Sequence, residues 1–382
     1  MHLQVTRLRP QRVSALEHGR NQSYSSDAWD FINAVQYLLG PSSSKCFFDD
    51  PCQSYAKGIG LSLNDILGDE IQPNGGLQHQ SLVVKSSSAM TIIIGVTGLF
   101  NSAFSFLALK SKASRKTGCG MYLLASSIIS LLTVSMSAFK FWSLFLIQTN
   151  AVTNQSALWI GCIATEPILK LFVNVDTWLH ACVAVERAIT VSRGVNFDKE
   201  KSKRIARWTI PLLPLIIMAT TIHEPLFRKL VKDEQQGRSW CVAQYSPSVQ
   251  QYNTFILFLH FLAPFCANVS SALFIIFGSA RQRATVRRAQ TYREHVYEQL
   301  REHRRLLISP LVLVALASPR LIISLVSGCI DTSQNPWWHF SSYFMSFIPS
   351  VIVFVLYVLP SQLYRREFNA SMTRCQQRIC RQ

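Results

Sequence analysis

Residues 90–109 read MTIIIGVTGLFNSAFSFLAL, a run with no charged residue. As an α-helix rising about 1.5 Å per residue, such a run covers ~30 Å, the thickness of a bilayer's hydrocarbon core. A buried helix of a large soluble all-α protein can look the same, so the rest of the chain has to decide. Six further apolar blocks follow, at roughly 120–147, 160–185, 207–222, 253–278, 306–327 and 338–359. The fourth contains WTIPLLPLIIMATTI, with two prolines, which membrane helices tolerate better than soluble ones. The chain has 382 residues, of which 49% are hydrophobic and 15% charged, against about 25% charged in a soluble protein. The expected fold is an all-α membrane protein, a seven-transmembrane helix bundle.

Charge placement orients the bundle. The net charge is +17. Lys110, Lys112, Arg115 and Lys116 lie between blocks one and two, and Arg193, Lys199, Lys201, Lys203 and Arg204 between three and four. Eight arginines against three glutamates separate blocks five and six, and Arg365, Arg366, Arg374, Arg378 and Arg381 follow block seven. Residues 148–161 hold no basic residue and 328–337 only Asp331. Loop 223–252 breaks the pattern with mixed charge. Lysine and arginine accumulate on the cytoplasmic side, so the N-terminus is expected outside and the C-terminus inside, in the plasma membrane. The excess charge belongs to topology and to the anionic inner leaflet, and it gives no reason to expect nucleic acid as a partner.

Residues 1–87 are expected to be an extracellular tail, partly disordered, ahead of a membrane domain at 88–360 and a basic cytoplasmic segment at 361–382. The tail has no apolar run of signal-peptide type, so block one would insert as its own start signal. Asn21 and Asn154 begin NQS sequons on the outer side and are glycosylation candidates. The ten cysteines show no C-x-x-C pair, so neither a metal nor a redox centre is expected. Cys162 falls at the outer start of block three and Cys241 in the long outer loop. Cys46 and Cys52 could form a smaller bridge in the tail. Cys375 and Cys380 sit in a basic juxtamembrane tail of the kind that is palmitoylated, or stay as free thiols.

Block three ends on CVAVERAITV, residues 182–191, where an apolar run stops at Glu186-Arg187. Seven spans, an outer N-terminus, Cys162 at the head of span three and Arg187 at its foot, 25 residues later, resemble the rhodopsin-like G-protein-coupled receptors. The resemblance covers about 95–369. By position, Asn101 matches the family's asparagine in helix one, Trp208 the tryptophan in helix four, Pro264 and Pro319 the prolines in helices five and six, and Tyr357 the tyrosine late in helix seven. PSQLYRREF, residues 360–368, looks like its short amphipathic eighth helix, with Tyr364 and Phe368 on the apolar side. The resemblance implies a disulfide between Cys162 and Cys241 and no enzymatic activity. It also implies an extracellular ligand and a heterotrimeric G protein as partners, beside the lipid bilayer.

The departures are those of a divergent member, one that resembles divergent invertebrate receptors, some of them of peptide type. The family's D-R-Y is here Glu186-Arg187-Ala188. Ile128 stands where helix two should carry an aspartate. Leu316-Ala317-Ser318-Pro319 lacks the helix-six tryptophan, and Val353-Phe354-Val355-Leu356-Tyr357 keeps only the tyrosine of N-P-x-x-Y. Glu186, Arg187 and Tyr357 are the candidate switch for G-protein coupling, with Glu298 and Glu302 as possible helix-six partners of Arg187. Read alone, Arg187 could simply snorkel to the interface.

Asp176 lies near the middle of span three, where a bare charge costs about 2.5–3.5 kcal/mol on insertion scales. It shares a helix face with His180 and Arg187. Asp176, with Asn101 and Ser127 as neighbours, is the candidate central ion site and could take Na+ in place of the missing helix-two carboxylate; the alternative is a protonated or hydrogen-bonded packing residue. Lys140, Glu166, Lys170, His260 and Arg320 are the ligand-binding candidates. Intramembrane charges read as functional by default, although Glu166 and Lys170 could pair as i,i+4 neighbours. Such a pocket suits an acidic or carbonyl-rich ligand, a short peptide first.

Other classes find less support. Span seven has no lysine for retinal. No internal repeat or broken-helix pair marks a transporter, no filter loop a channel, and no H-E-x-x-H or G-x-S-x-G an enzyme. A seven-helix transporter or channel is the remaining alternative.

Overall fold

The computed structural model describes residues 62–286 apart from 69, 73, 74, 150, 152, 153 and 234–237, and then 311–316, 318 and 336–379. Five of the described helices are long and apolar enough to cross a membrane, as in a multi-pass membrane protein. They are α2 (Leu82–Leu109), α3 (Gly118–Gln148), α4 (Gln155–Arg193), α5 (Lys199–Thr221) and α7 (Pro247–Val286). Two short helices, α1 (Leu63–Leu67) and α6 (His223–Leu226), precede α2 and follow α5.

The helices outrun the apolar blocks because polar residues cap them beyond the hydrocarbon. The Ser81 hydroxyl accepts the Val84 N–H at 3.5 Å, and α2 therefore begins before residue 88, where the membrane domain was expected to start. The Asp198 carboxylate accepts the Lys201 N–H at 3.0 Å and starts α5 in its basic first turns. Helix α4 has 39 residues and continues through Pro167. At about 1.5 Å per residue it is nearly twice as long as the hydrocarbon is thick, so one rigid rod carries Cys162 near one end and Arg187 near the other. Gly194, at φ 52°, turns the chain away after it.

Strands β1 (Arg228–Asp233) and β2 (Arg238–Ala243) form an antiparallel hairpin in which Leu230 faces Cys241. Cys241 is disulfide-bonded to Cys162, with the Cα atoms 5.4 Å apart. The pairing implied by the resemblance is therefore present, and it ties the hairpin to the head of α4.

The stretch 338–359, expected as a seventh span, is not a single helix. It is broken into α8 (Pro336–Met345), α9 (Ile348–Val351) and a wide π-type turn at Phe354–Val358. Pro349 has no N–H to donate and sits in the first turn of α9, where a new helix can start but an old one cannot continue. Of the stretch 306–327, expected as a sixth span, only 311–316 and 318 are described, so Arg320, Pro319, Glu298 and Glu302 lie outside the described residues. The same holds for Asn21, Cys46, Cys52, Cys380 and the Cys375 side chain.

Two large apolar clusters and a small one at Ala188, Ala272 and Ile275 build the core among the described residues. One large cluster, towards Arg187, joins Leu109, Leu123, Leu179, Val183, Leu356 and Tyr357. The other, towards Cys162, joins α1 to α2, α3, α4 and α8. Helix α5 lies at the rim, and Trp208 is 74% exposed on its outward face. After span seven comes α10 (Gln362–Ile379). Its Phe368 ring meets Phe104 at 5.6 Å and Phe354 at 5.0 Å, both edge-on. Burial pushes the Tyr364 phenol well above its usual pKa, with Cys119 adding to the shift and Arg187 opposing it.

Candidate functional site

The polar centre of the bundle is built on Asp176, 2% exposed in the middle of α4. Its Oδ1 accepts the Ser126 hydroxyl at 2.6 Å, and its Oδ2 accepts Ser350 at 2.7 Å and Ser130 at 3.2 Å. Three hydroxyls, two from α3 and one from α9, thus replace water around a buried carboxylate, which is what its burial requires. Ser127, the neighbour expected from sequence, instead donates to the Leu123 carbonyl of its own helix at 2.9 Å. One residue rotates a helical side chain by about 100°, so Ser126 and Ser130 face α4 in its place.

Asn101 performs a related task one helix away. Its Nδ2 donates to the Ser350 carbonyl at 3.2 Å, and its Oδ1 accepts the Phe354 N–H at 2.8 Å. In an unbroken helix that N–H would bond that carbonyl, four residues earlier. The Asn101 amide is therefore spliced into the break of span seven and satisfies both freed groups. Asn101 and Asp176 hold the same residue, Ser350, by its backbone and its hydroxyl.

One turn towards the inner end, His180 Nε2 lies 3.6 Å from Asp176 Oδ1 and 3.5 Å from the Ser126 hydroxyl. The His180 ring stacks on Tyr357, with centroids 5.5 Å apart and planes 5° from parallel. The Arg187 guanidinium carbon lies 4.9 Å from the centre of that same ring, within the range of a cation–π contact. Asp176, His180, Tyr357 and Arg187 thus form a continuous line down one half of the bundle. Its first step lies within α4, and the next two join α4 to the π-type turn at Phe354–Val358.

Glu186 has its own partners. Ser202 of α5 donates to Glu186 Oε1 at 2.6 Å, and the Ser202 hydroxyl oxygen accepts the Gly118 N–H at 3.0 Å. A Cβ on Gly118 would come within 2.6 Å of the other Glu186 oxygen. The carboxylate is therefore seated at the first turn of α3, where the helix dipole favours an anion. The sequence points to Glu186 as the acid beside Arg187; the structure adds that it pins the inner ends of α3, α4 and α5 together.

The half of the bundle towards Cys162 holds a second set of charges. Lys140 pairs with Glu166, both buried. Lys170 does not take its i+4 option; it pairs with both oxygens of Glu224 at 2.8 and 2.9 Å. Arg228 reaches Glu224 Oε2 at 3.4 Å. Nothing in the sequence singled out Glu224 or Arg228, because their burial arises from α6 and β1 folding back over α4. Beside them, burial pushes the Tyr245 phenol up to about 12, with Glu224 and Glu166 adding to the shift and Arg228 opposing it.

His260 sits apart from this network. It accepts the Trp178 Nε1–H on Nδ1 at 3.2 Å, and its Nε2 lies 2.8 Å from the Thr220 hydroxyl. With Nδ1 accepting, the proton is on Nε2, and this neutral tautomer links α4, α5 and α7. The ligand candidates are therefore split: Lys140, Glu166 and Lys170 meet at the outer end, and His260 is structural glue between three spans. Asn154, exposed at the start of α4, accepts the Ser156 N–H at 3.0 Å. No group of three or more metal-binding side chains occurs among the described residues.

No family model matches the chain, and no curated protein matches it.

Proposed function

We propose that the chain is a seven-span receptor of the rhodopsin-like, G-protein-coupled kind. It binds an extracellular ligand, a short peptide, in the outer half of the bundle. It activates a heterotrimeric G protein through the inner ends of spans three, five and six. The observation that carries this reading is the contact of Arg187 with Tyr357. It joins the foot of span three to the broken end of span seven, directly below the Asp176 cluster. The cation–π contact contributes about 0.5–2 kcal/mol, beside a hydrogen bond between Arg187 and Cys119 of α3.

The other features take their places around that contact. The disulfide anchors the hairpin above the ligand end. Asp176, Ser126, Ser130 and Ser350 offer the hard oxygen ligands that Na+ takes, so sodium is the candidate ion there. Helix α10 is an eighth helix lying on the inner leaflet, with Tyr364 and Phe368 turned to the bundle.

The receptor is placed in the plasma membrane with its N-terminus outside. An N-terminal epitope tag should stain intact cells, and a C-terminal tag only permeabilised ones; the reverse staining removes the reading. A peptide-library screen that yields ligand-gated current or solute flux without nucleotide exchange on any G protein would favour a channel or transporter instead.

A further inference from the structure

The segment ahead of the first span is packed into the bundle. Ser62 caps α1 by accepting the Asn64 N–H at 3.3 Å. The aliphatic residues Leu63, Ile66, Leu67 and Ile71 are 1%, 4%, 0% and 1% exposed. They fall at i, i+3, i+4 and i+8, one face of a short helix and its exit. That face belongs to one buried cluster with Phe141, Phe145, Phe340, Tyr343, Phe344 and Phe347, and α1 lies against α8. A segment flanking a bundle normally stays out of such a cluster unless something ties it down.

The tie is Gln80. Its side chain accepts the Gln72 N–H at 2.8 Å and donates to the carbonyls of Gln72 and Gly75 at 3.0 and 2.9 Å. One amide closes the turn from residue 72 to residue 80 and aims the segment back at the outer end of the spans. No strand or helix ladder joins 62–72 to the bundle among the described residues; its apolar side chains and this clamp hold it. Residues 62–72 carry Asp65, Asp69 and Glu70 and no basic residue. The outer charge network of the bundle sets three cations, Lys140, Lys170 and Arg228, against Glu166 and Glu224.

We infer that residues 62–72, SLNDILGDEIQ, are a tethered occupant of a peptide site at the outer end of the bundle. The site takes a short acidic peptide with aliphatic side chains on one helical face, and the chain's own segment keeps free peptides of that class out. A short tether presents its segment at an effective concentration on the order of mM, so a free peptide competes poorly until the segment is displaced. This deepens the proposed function by naming the class of ligand for the outer site, and it rests on that reading only for the signalling consequence.

The test uses the full chain in lipid nanodiscs and a fluorescent peptide of residues 62–72, with no G protein added. Two variants weaken the tethered copy: Leu67→Asp/Ile71→Asp, which spoils its apolar face, and Gln80→Ala, which removes the clamp and leaves the cluster intact. The peptide should bind the double variant at least tenfold more tightly than the wild type, and Gln80→Ala should bind it about threefold more tightly. A peptide carrying the same two aspartates should bind neither. If the double variant does not fold, as its thermal unfolding shows, Gln80→Ala decides alone. Equal binding to wild type and Gln80→Ala, or equal binding of both peptides, overturns the inference. In a second run with heterotrimeric G protein added, tighter binding without any effect on nucleotide exchange leaves the occupant in place and counts against the receptor reading instead.

Discussion

Lys140→Met should destabilise the protein by about 3–5 kcal/mol, the cost of stranding one member of a buried ion pair. Lys140 and Glu166 are 5% and 2% exposed, so water cannot replace the lost partner. Lys170 is engaged by Glu224 at 2.8 Å, and to rescue Glu166 it would have to abandon that contact. The double variant Lys140→Met/Glu166→Leu should recover most of the loss or exceed the wild type, since well-packed apolar replacements of a buried pair are often neutral or stabilising. Surface expression and the thermal unfolding midpoint of the solubilised protein check both. A single variant as stable as the wild type would mean that the pair is hydrated. A double variant no better than the single one would mean that the two residues do not act as a pair.

Cys162→Ser/Cys241→Ser should cost about 2–5 kcal/mol, the usual loss for a native extracellular disulfide. The bridge joins residues 79 apart in sequence and secures a two-stranded hairpin, a unit marginal by itself in water. The loss should fall first on the hairpin and on the Glu224–Arg228 end of the charge network, while the Asp176 cluster in the middle of the bundle stays closed. Hydrogen exchange separates the two: amides of β1 and β2 should lose protection well before those around Ser350. Uniform loss across both regions would show that the bridge supports the whole bundle rather than its outer end.

How far the sequence foretold these features follows from the range of the interactions involved. The first five spans were legible because helices of membrane-crossing length leave long apolar runs, whereas which face each turns to its neighbours was not. The disulfide was legible through spacing and resemblance. The serines around Asp176 were legible only as a group. In ASSIIS, residues 125–130, Ser126 and Ser130 share one face of the helix and Ser127 lies on another, and only packing against α4 selects the first two. The break in span seven could be suspected from Pro349 but not located, because its other half is Asn101, 249 residues from Ser350. The buried segment at 62–72 was hidden in a polar tail, since one five-residue helix is too short to show a period. The outer charges were visible singly, but their pairing depends on α6 and β1 folding back over α4.

The central claim is that Glu186, Arg187 and Tyr357 form a switch read by a G protein. The most direct measurement is GTPγS loading of purified heterotrimers by the full chain in nanodiscs, comparing wild type, Glu186→Gln and Arg187→Ala at equal receptor content. Glu186 holds the inner ends of α3, α4 and α5 together through Ser202 and Gly118, and coupling between such sites is typically about 1–3 kcal/mol. Neutralising it should therefore raise loading roughly fivefold or more by the same relation. Arg187→Ala, added to Glu186→Gln, should return loading to the level of empty discs. Loading that stays at the empty-disc level in Glu186→Gln with every G-protein class, or that persists undiminished without Arg187, contradicts the account.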